Sequence, residues 1–259
     1  MITYTRRDWL AVSALAGASL IVLPLQATDR NDDSETIHIP GGPFLMGTTE
    51  KQAQVLARQF GHHVSWLGGE VPQREIDLPA FVIDKYPVTN RRYAAFVKAA
   101  GARAPFDWPN GEPTASQLDL PVRYVDRAGA RAFAKWAGKR LPTSAEWEKS
   151  ARGTDGRLYP WGNEFDPAAC QHDPGGTSPP TGPAPVNAHP RGESPYGVMD
   201  MIGNIAEYCD DQPGASAAYI RGGCWLTASS LNLRCAALGF SGAENNALDY
   251  LGFRCVKAA

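Results

Sequence analysis

Three features that would point to particular functions are missing from this sequence. No two cysteines form a Cys-x-x-Cys pair, and the five that occur all lie in the second half of the chain, at Cys170, Cys209, Cys224, Cys235 and Cys255. The cysteine spacing therefore argues against a thiolate zinc site or a thioredoxin-type redox site. Lysine and arginine number 25 against 27 acidic residues, and the net charge of −2 gives no electrostatic reason to expect nucleic acid as a partner.

The sequence also lacks an apolar run long enough to span a membrane. The run Ala11–Leu25 is shorter than the roughly 20 residues that a transmembrane helix needs. Arg6 and Arg7 precede it and a small residue, Ala27, follows it, so residues 1–27 are predicted to be a cleavable twin-arginine signal peptide. We expect a periplasmic or secreted protein with no membrane attachment after cleavage; retention of the segment as an anchor is the alternative.

Glycine and proline, in contrast, are abundant, with 26 and 21 residues that follow no fixed period. This composition is typical of a loop-rich globular fold. We predict a flexible leader over residues 28–36 and a single domain over residues 37–259. Residues 160–195 are predicted to be almost entirely loop, and a loop of that length in a compact domain usually serves a function or is held by a metal or a disulfide.

Capping residues locate three helices. Thr89 and Asp126 each precede a run with one apolar face, and Thr143 with Glu146 forms a capping box. Residues 50–61 are compatible with a polar helix or a loop. The alternation of residues 36–47 around a Pro-Gly-Gly turn predicts a hairpin, and further strands are expected over residues 76–88.

Eight stretches, in order over residues 40–255, together resemble the formylglycine-generating enzyme (sulfatase-modifying factor) superfamily. They are Pro40-Gly-Gly-Pro-Phe-Leu-Met-Gly47, Tyr86-Pro-Val-Thr-Asn90, Trp136-Ala-Gly-Lys-Arg-Leu-Pro-Thr143, Ala145-Glu-Trp-Glu148, Pro160-Trp-Gly-Asn163, Gly203-Asn204, Arg221-Gly-Gly223 and Gly252-Phe-Arg254. The resemblance implies an α+β fold of the C-type-lectin-like kind: one loop-rich domain with short twisted sheets and about three helices.

The resemblance also implies a structural calcium site. Its ligands would be the side chains of Asp200 and Glu207 and the backbone carbonyls of Gly203 and Ile205. An Asp, a turn Gly and a Glu within eight residues can supply hard oxygen ligands at adjustable distances. A solvated acidic turn is the alternative interpretation.

The copper chemistry of the superfamily is not expected here. That chemistry uses two active-site thiolates, because soft sulfur prefers soft copper(I). Thr227 stands at the first cysteine position and no cysteine stands at the second. No recognised motif supports copper or iron.

Cys224 stands where the family usually has an active-site serine, so one thiol could face the same pocket. We favour the other interpretation, in which Cys224 forms a disulfide with Cys235 or Cys255 and stabilises the sheet.

The candidate catalytic residues are therefore Cys224, Thr227, Ser230 and Arg254, with Trp225 and Ala206 in the substrate groove. Ala206 replaces a family Trp and is expected to open the groove. Arg221, Arg234 and Arg254 could bind buried acids and carbonyls or a substrate carboxylate, and the sequence favours neither.

Two functions follow from the resemblance. The first is oxidative maturation of a periplasmic peptide, protein or peptide-derived small molecule. It resembles the role of the pyoverdine-maturation oxidoreductases, superfamily members that also lack the paired cysteines. The second is a non-catalytic binding or assembly module for a periplasmic redox protein.

Overall fold

Four α-helices are present in the part of the chain that the computed structural model describes, which comprises residues 34–175, 181–211, 217–241 and 247–259. They are α1 (Glu50–Gln59), α2 (Asn90–Ala100), α3 (Arg127–Trp136) and α4 (Ser144–Arg152). The predicted signal peptide lies outside the described residues. No described helix combines the length and the apolar character that crossing a membrane requires.

The helix starts follow the caps predicted from the sequence. The side chains of Thr89 and Asp126 accept backbone N–H groups of the first turns of α2 and α3. Thr143 and Glu146 form the reciprocal capping box of α4. Gly101, with φ of 62°, ends α2 in the left-handed conformation that glycine adopts without strain. Residues 50–61, left open between helix and loop, contain α1.

Nine short strands form three sheets in the described residues. They are β1 (Thr36–Ile39), β2 (Gly42–Met46), β3 (Arg74–Leu78), β4 (Phe81–Asp84), β5 (Ala206–Tyr208), β6 (Ala218–Arg221), β7 (Leu238–Ser241), β8 (Leu251–Gly252) and β9 (Val256–Ala258). The strand orders are β1-β4-β9, β2-β3 and β7-β6-β5-β8. The α+β fold class predicted from the sequence is confirmed.

The predicted hairpin over residues 36–47 is wrong. β1 pairs with β4 and β2 pairs with β3, so the two strands flanking the Pro-Gly-Gly bend belong to different sheets. Ile39 of β1 is buried in the same core cluster as Phe81 and Ile83 of β4, and that shared burial selects the partner. Gly42, with φ of 120°, turns the chain out of the first sheet.

The start of the domain also differs from the prediction, which assigned residues 34–36 to a flexible leader. Glu35 forms an ion pair with Lys85 at 2.9 Å, and β1 begins at Thr36. Pairing with β4 thus extends the ordered domain toward the N-terminus. The long loop over residues 160–195 is confirmed for its described residues, whose only helical segments are 3₁₀ turns at Pro167–Ala169 and Pro190–Gly192.

Candidate functional site

A cleft of about 190 Å³ opens beside the four-stranded sheet, next to the Arg221-Gly-Gly segment. Its lining includes Trp66, Ala206, Gly222, Gly223, Asn232 and Arg234. Other clefts of about 300, 340 and 140 Å³ lie in the described part of the chain. None of these clefts, including the one of about 190 Å³, is lined by the predicted catalytic residues Cys224, Thr227, Ser230 and Arg254. We place the candidate site at the cleft of about 190 Å³ because Ala206, a predicted groove residue, lines it.

Two glycines bring the chain from β6 to the cleft wall. Gly222 and Gly223 have φ of 90° and 63°, a conformation that side chains with a Cβ rarely adopt. A Cβ on Gly222 would lie 2.7 Å from the carbonyl oxygen of Met201. A Cβ on Gly223 would lie 2.9 Å from Leu233 Cδ2. Only glycine fits at either position without displacing its neighbours.

Cys224 and Thr227 meet in the tight turn that follows, which we call the Cys224 turn (Cys224–Thr227). The Cys224 N–H donates to Thr227 Oγ1 at 3.0 Å, and the Thr227 N–H donates to the Cys224 carbonyl at 2.9 Å. The Cys224 sulfur lies 3.7 Å from Thr227 Oγ1. Only 7% of Cys224 is exposed, and burial raises the pKa of its thiol above the ordinary value. The thiol is therefore protonated at neutral pH and is a weak nucleophile.

The other predicted groove residues lie around this turn. Trp225 is half-buried, its backbone N–H donates to the Asn204 carbonyl at 3.0 Å, and its indole Nε1 is buried without a hydrogen-bond partner. Ser230 begins the 3₁₀ turn Ser230–Leu233, and its carbonyl accepts the Tyr159 hydroxyl at 3.3 Å. Ser230 thus leads into the cleft-lining residues Leu231 and Asn232.

The prediction that Arg254 contacts a substrate is not supported by its position. Arg254 has no exposed surface, and its Nε and Nη2 donate to the two carboxylate oxygens of Glu207, each at 2.7 Å. Its remaining hydrogen bonds go to the carbonyls of Asp84, Lys85, Met199 and Asp200. A guanidinium engaged in this way has no donor left for a substrate.

Arg221 and Arg234 likewise bind buried acids. Arg234 forms a bidentate pair with Glu70 at 2.6 and 2.8 Å. Arg221 lies 3.1 Å from Glu148 and donates to Ser144 Oγ. We call the three pairs Arg221–Glu148, Arg234–Glu70 and Arg254–Glu207 the arginine frame. The sequence left open whether these arginines bind buried acids and carbonyls or a substrate carboxylate. All three bind buried acids.

The predicted calcium ligands differ in how well they are satisfied. Besides Arg254, Glu207 accepts the Trp147 indole N–H at 2.9 Å, so its charge is already neutralised. Asp200 is 6% exposed, and its Oδ2 is buried without a hydrogen-bond partner. Burial, assisted by the nearby Glu207 charge, raises the Asp200 pKa to about 7.

The predicted calcium ligands are therefore not equally available to a cation. Among the residues described, no group of three or more His, Cys, Asp or Glu side chains is placed to hold a metal ion. Asp200 offers one unpaired carboxylate oxygen at the predicted position, beside a turn made by Gly203 with φ of 73°. Of the two predicted carboxylate ligands, Asp200 is thus available to a hard cation, whereas Glu207 is already paired with Arg254.

The favoured disulfide of Cys224 with Cys235 or Cys255 is wrong. None of the five cysteines, all of which lie in described segments, forms a disulfide, and all five are buried. Cys224 and Cys235 belong to different core clusters, where thiols pack as small apolar groups. Burial raises the pKa of Cys170 and of Cys235 to about 12.

Sequence analysis missed the segment that borders the cleft opposite the sheet. Trp66 lies in the 3₁₀ turn Val64–Leu67 and is 66% exposed. Glu70, four residues on, is the partner of Arg234. The signal available was a tryptophan in a polar stretch beside His62 and His63, but neither a motif nor a regular period marks it.

Known proteins share both the sequence and the fold. The sulfatase-modifying factor enzyme 1-like domain model matches residues 24–259. The chain belongs to this family. The inactive C-alpha-formylglycine-generating enzyme 2 of Mus musculus is 31% identical over 93% of this chain and 91% of its own. The formylglycine-generating enzyme of Thermomonospora curvata is 36% identical over 68% of this chain and 70% of its own.

A further family member and a solved structure extend the comparison. The hercynine oxygenase of Mycolicibacterium smegmatis is 33% identical over 72% of this chain, which spans 47% of that protein. The structure of PvdO from Pseudomonas aeruginosa superposes with a TM-score of 0.71 at 23% identity, covering 90% of this chain and 97% of its own. The superposition confirms the fold. The similar proteins thus include some named as enzymes and others named as inactive.

Proposed function

We propose that this protein is exported and takes part in the oxidative maturation of a peptide, a protein or a peptide-derived small molecule that binds in the cleft. The observation that carries the proposal is the open cleft beside the Cys224 turn, lined by Ala206 and the Gly222-Gly223 wall. Ala206 takes the place of a bulky family tryptophan, and a small side chain there leaves room for a substrate. The relatives named formylglycine-generating enzyme and hercynine oxygenase support an oxidative role.

The reaction is not the copper-dependent one of the family's namesake. Thr227 has a hydroxyl where a copper thiolate is needed, and a hydroxyl does not replace a soft ligand for copper(I). Cys224, Thr227 and Ser230 do not line the cleft; in our proposal they support the lining residues next to them, Gly223 and Leu231. Burial raises the pKa of the Cys224 thiol, so the proposed reaction uses no Cys224 thiolate.

A deletion strain tests this function. In the proposed oxidation the substrate loses two electrons and two protons to an external acceptor such as dioxygen. We therefore expect extracts of the strain to accumulate a compound two hydrogens heavier than the wild-type product, detected by comparative mass spectrometry. Wild-type protein should restore the product. Asn232→Trp, at an exposed position that lines the cleft, should fail to restore the product, because the indole fills the cavity. Val55→Trp, at an exposed position on α1, is the matched control and should restore it. Identical extracts from deletion and wild-type strains would refute oxidative maturation.

The second candidate is a non-catalytic binding or assembly module. Its supporting observation is the buried, protonated Cys224 thiol together with a mouse relative named as inactive. If the protein is such a module, deletion should lower the amount of a partner protein but leave the mass of that partner unchanged. The same extracts therefore distinguish the two functions.

We also propose a calcium ion at Asp200, with the carbonyls of Gly203 and Ile205. The unpaired and buried Oδ2 of Asp200 supports it, since a cation would compensate a carboxylate that is otherwise costly to bury. We expect calcium to raise the melting temperature of chelator-treated protein at pH 8, and Asp200→Asn to abolish the increase. An unchanged melting temperature and a metal-free purified protein would exclude the site.

Export is tested separately. Replacing Arg6 and Arg7 together by lysine should leave the protein in the cytoplasm with its first residues uncleaved, as fractionation and N-terminal sequencing would show. Normal export of this double variant would contradict the twin-arginine assignment without affecting the cleft.

A further inference from the structure

We infer that the cleft is a subsite for one flat aromatic ring of the substrate, which stacks on the indole of Trp66. This inference rests on the proposed function, because it uses the same cleft and names the class of group that enters it. No motif in the sequence distinguishes Trp66 from the other tryptophans.

The first observation is the exposure of Trp66. Its side chain is 66% exposed, although tryptophan is a residue that proteins usually bury. One face of the indole is covered by His62, whose ring lies 4.3 Å away between centroids at an interplanar angle of 20°. Trp66 also lines the cleft. The pair is a ready stacking platform, since offset-stacked rings attract each other beyond the area they bury.

The second observation is the rigid support beneath the platform. Leu67, the next residue, is only 1% exposed and packs in a small core cluster. The Trp66 N–H donates to the His63 carbonyl at 3.1 Å. Glu70 then fixes the segment through its bidentate pair with Arg234 and through the Thr48 hydroxyl at 2.7 Å. These contacts hold the backbone that carries Trp66, and the His62 ring stacks on the indole, so part of the ordering cost of stacking is met before a ligand arrives.

The third observation is the size of the cavity. A cavity of roughly 150 Å³ is enough to hold benzene, whereas sites for drug-sized ligands begin at about 300 Å³. The cleft of about 190 Å³ therefore admits one ring and not a larger body. Ala206, Leu231 and Leu238 supply apolar lining, and the charges of Glu70 and Arg234 are paired with each other. The interior thus suits a neutral, flat group.

Equilibrium binding of two matched probes tests the subsite without any turnover. The probes are N-acetyl-tyrosinamide and its saturated analogue N-acetyl-cyclohexylalaninamide, measured by calorimetry and by ligand-observed NMR. We expect the aromatic probe to bind more tightly than the saturated one. Trp66→Ala and Trp66→Leu should each weaken the aromatic probe by about three- to tenfold, while Trp66→Phe should remain within about threefold of the wild type.

Phe106→Ala is the matched control, because Phe106 is 71% exposed but lines a different cleft. It should leave probe binding unchanged. Urea unfolding of each variant verifies that the fold is intact. Equal affinity for the two probes, or full affinity in Trp66→Ala, would overturn the ring subsite.

The result is separable from that of the deletion strain. Ring binding without any change in cell extracts would leave the subsite standing and refute oxidative maturation. If the wild type does not bind the ring and Trp66→Ala restores the product in the deletion strain, the subsite is refuted and oxidative maturation stands.

Discussion

The arginine frame and the Cys224 turn both adjoin the four-stranded sheet, since Glu207 lies in β5 and the turn follows β6, but they use polar groups in opposite ways. In the frame, Arg254 and Glu207 are both buried and satisfy each other at 2.7 Å. In the turn, the Cys224 sulfur has only a 3.7 Å contact with Thr227, and the nearby Trp225 Nε1 has no hydrogen-bond partner. Paired charged groups therefore hold this fold together and also line part of the cleft, through Arg221 and Arg234, whereas the turn beside the cleft is built from weakly engaged, neutral groups.

This difference changes which residues deserve a functional interpretation. From the sequence, the arginines of the frame could have bound a substrate carboxylate. In the structure they form buried pairs with glutamates. Ala206, Gly222 and Trp66 carry no obvious chemistry, and these residues shape the cleft.

Breaking the frame should have the largest effect. Arg254→Met leaves the buried Glu207 carboxylate without its counter-charge and should lower the free energy of unfolding by about 3–5 kcal/mol, measured by urea denaturation. Adding Glu207→Gln should recover part of the loss, because the uncompensated charge is then removed. Arg91→Met is the control: its pair with Asp119 is exposed on both sides, and a surface pair contributes about 0–1 kcal/mol. Equal losses in Arg254→Met and Arg91→Met would contradict the distinction.

Asp200 is a buried carboxylate outside the frame, and its Oδ2 has no hydrogen-bond partner. Its pKa is about 7 in the folded protein and near the ordinary value when unfolded, so the folded state binds more protons between about pH 4 and pH 7. In chelator, the stability contributed by protonated Asp200 should be complete below about pH 4. It should be lost as the pH rises through 7, by an amount on the order of 4 kcal/mol at most.

Asp200→Asn removes this titration. The stability of the variant relative to wild type should therefore increase from pH 4 to pH 8, as measured by urea unfolding across that range in chelator. A constant difference between the two proteins would show that Asp200 ionises normally in the fold.

A change in the Cys224 turn should have a smaller effect than a change in the frame. Thr227→Ala leaves the Cys224 N–H without its acceptor and should cost about 1–2 kcal/mol in urea unfolding. Thr227→Ser keeps the hydroxyl and should recover most of that loss. If Thr227→Ala destabilises the protein as much as Arg254→Met, the turn is part of the supporting structure.

Burial of the thiols should slow their reaction with a thiol reagent, and this measurement involves no change in the free energy of unfolding. Five cysteines should react with Ellman's reagent in denaturant without a reductant, because none is in a disulfide. In the native protein, reaction should be slow, since burial raises the pKa of the Cys224, Cys209 and Cys235 thiols. Fewer than five reactive thiols in denaturant would indicate that a disulfide is present.

The parts of this fold that the sequence predicted are those set by neighbouring residues. Thr89, Asp126 and Thr143 cap helices through hydrogen bonds that span three positions, so their effect is visible locally. The hairpin prediction failed because strand pairing is decided by distant burial: β1 finds β4 about forty-five residues away. Local alternation carries no information on that choice.

The cleft was predictable only in part. The Gly222-Gly223 turn is visible as a motif, and the loss of a bulky residue at Ala206 could be inferred from the family resemblance. Trp66 could not be found in this way, because its role depends on Leu67 and Glu70 anchoring a short turn against residues far along the chain. Arg254 was assigned to the substrate because its burial and its pairing with Glu207 are properties of the folded chain alone.

Arg254 lies 47 residues after Glu207 along the chain, and Glu207 in turn binds the indole of Trp147. During synthesis, Trp147 and Glu207 therefore leave the ribosome before the guanidinium that completes their environment. This part of the interior can close only after Arg254 has been made. A chain that stops before Arg254 would carry the Glu207 carboxylate without its counter-charge.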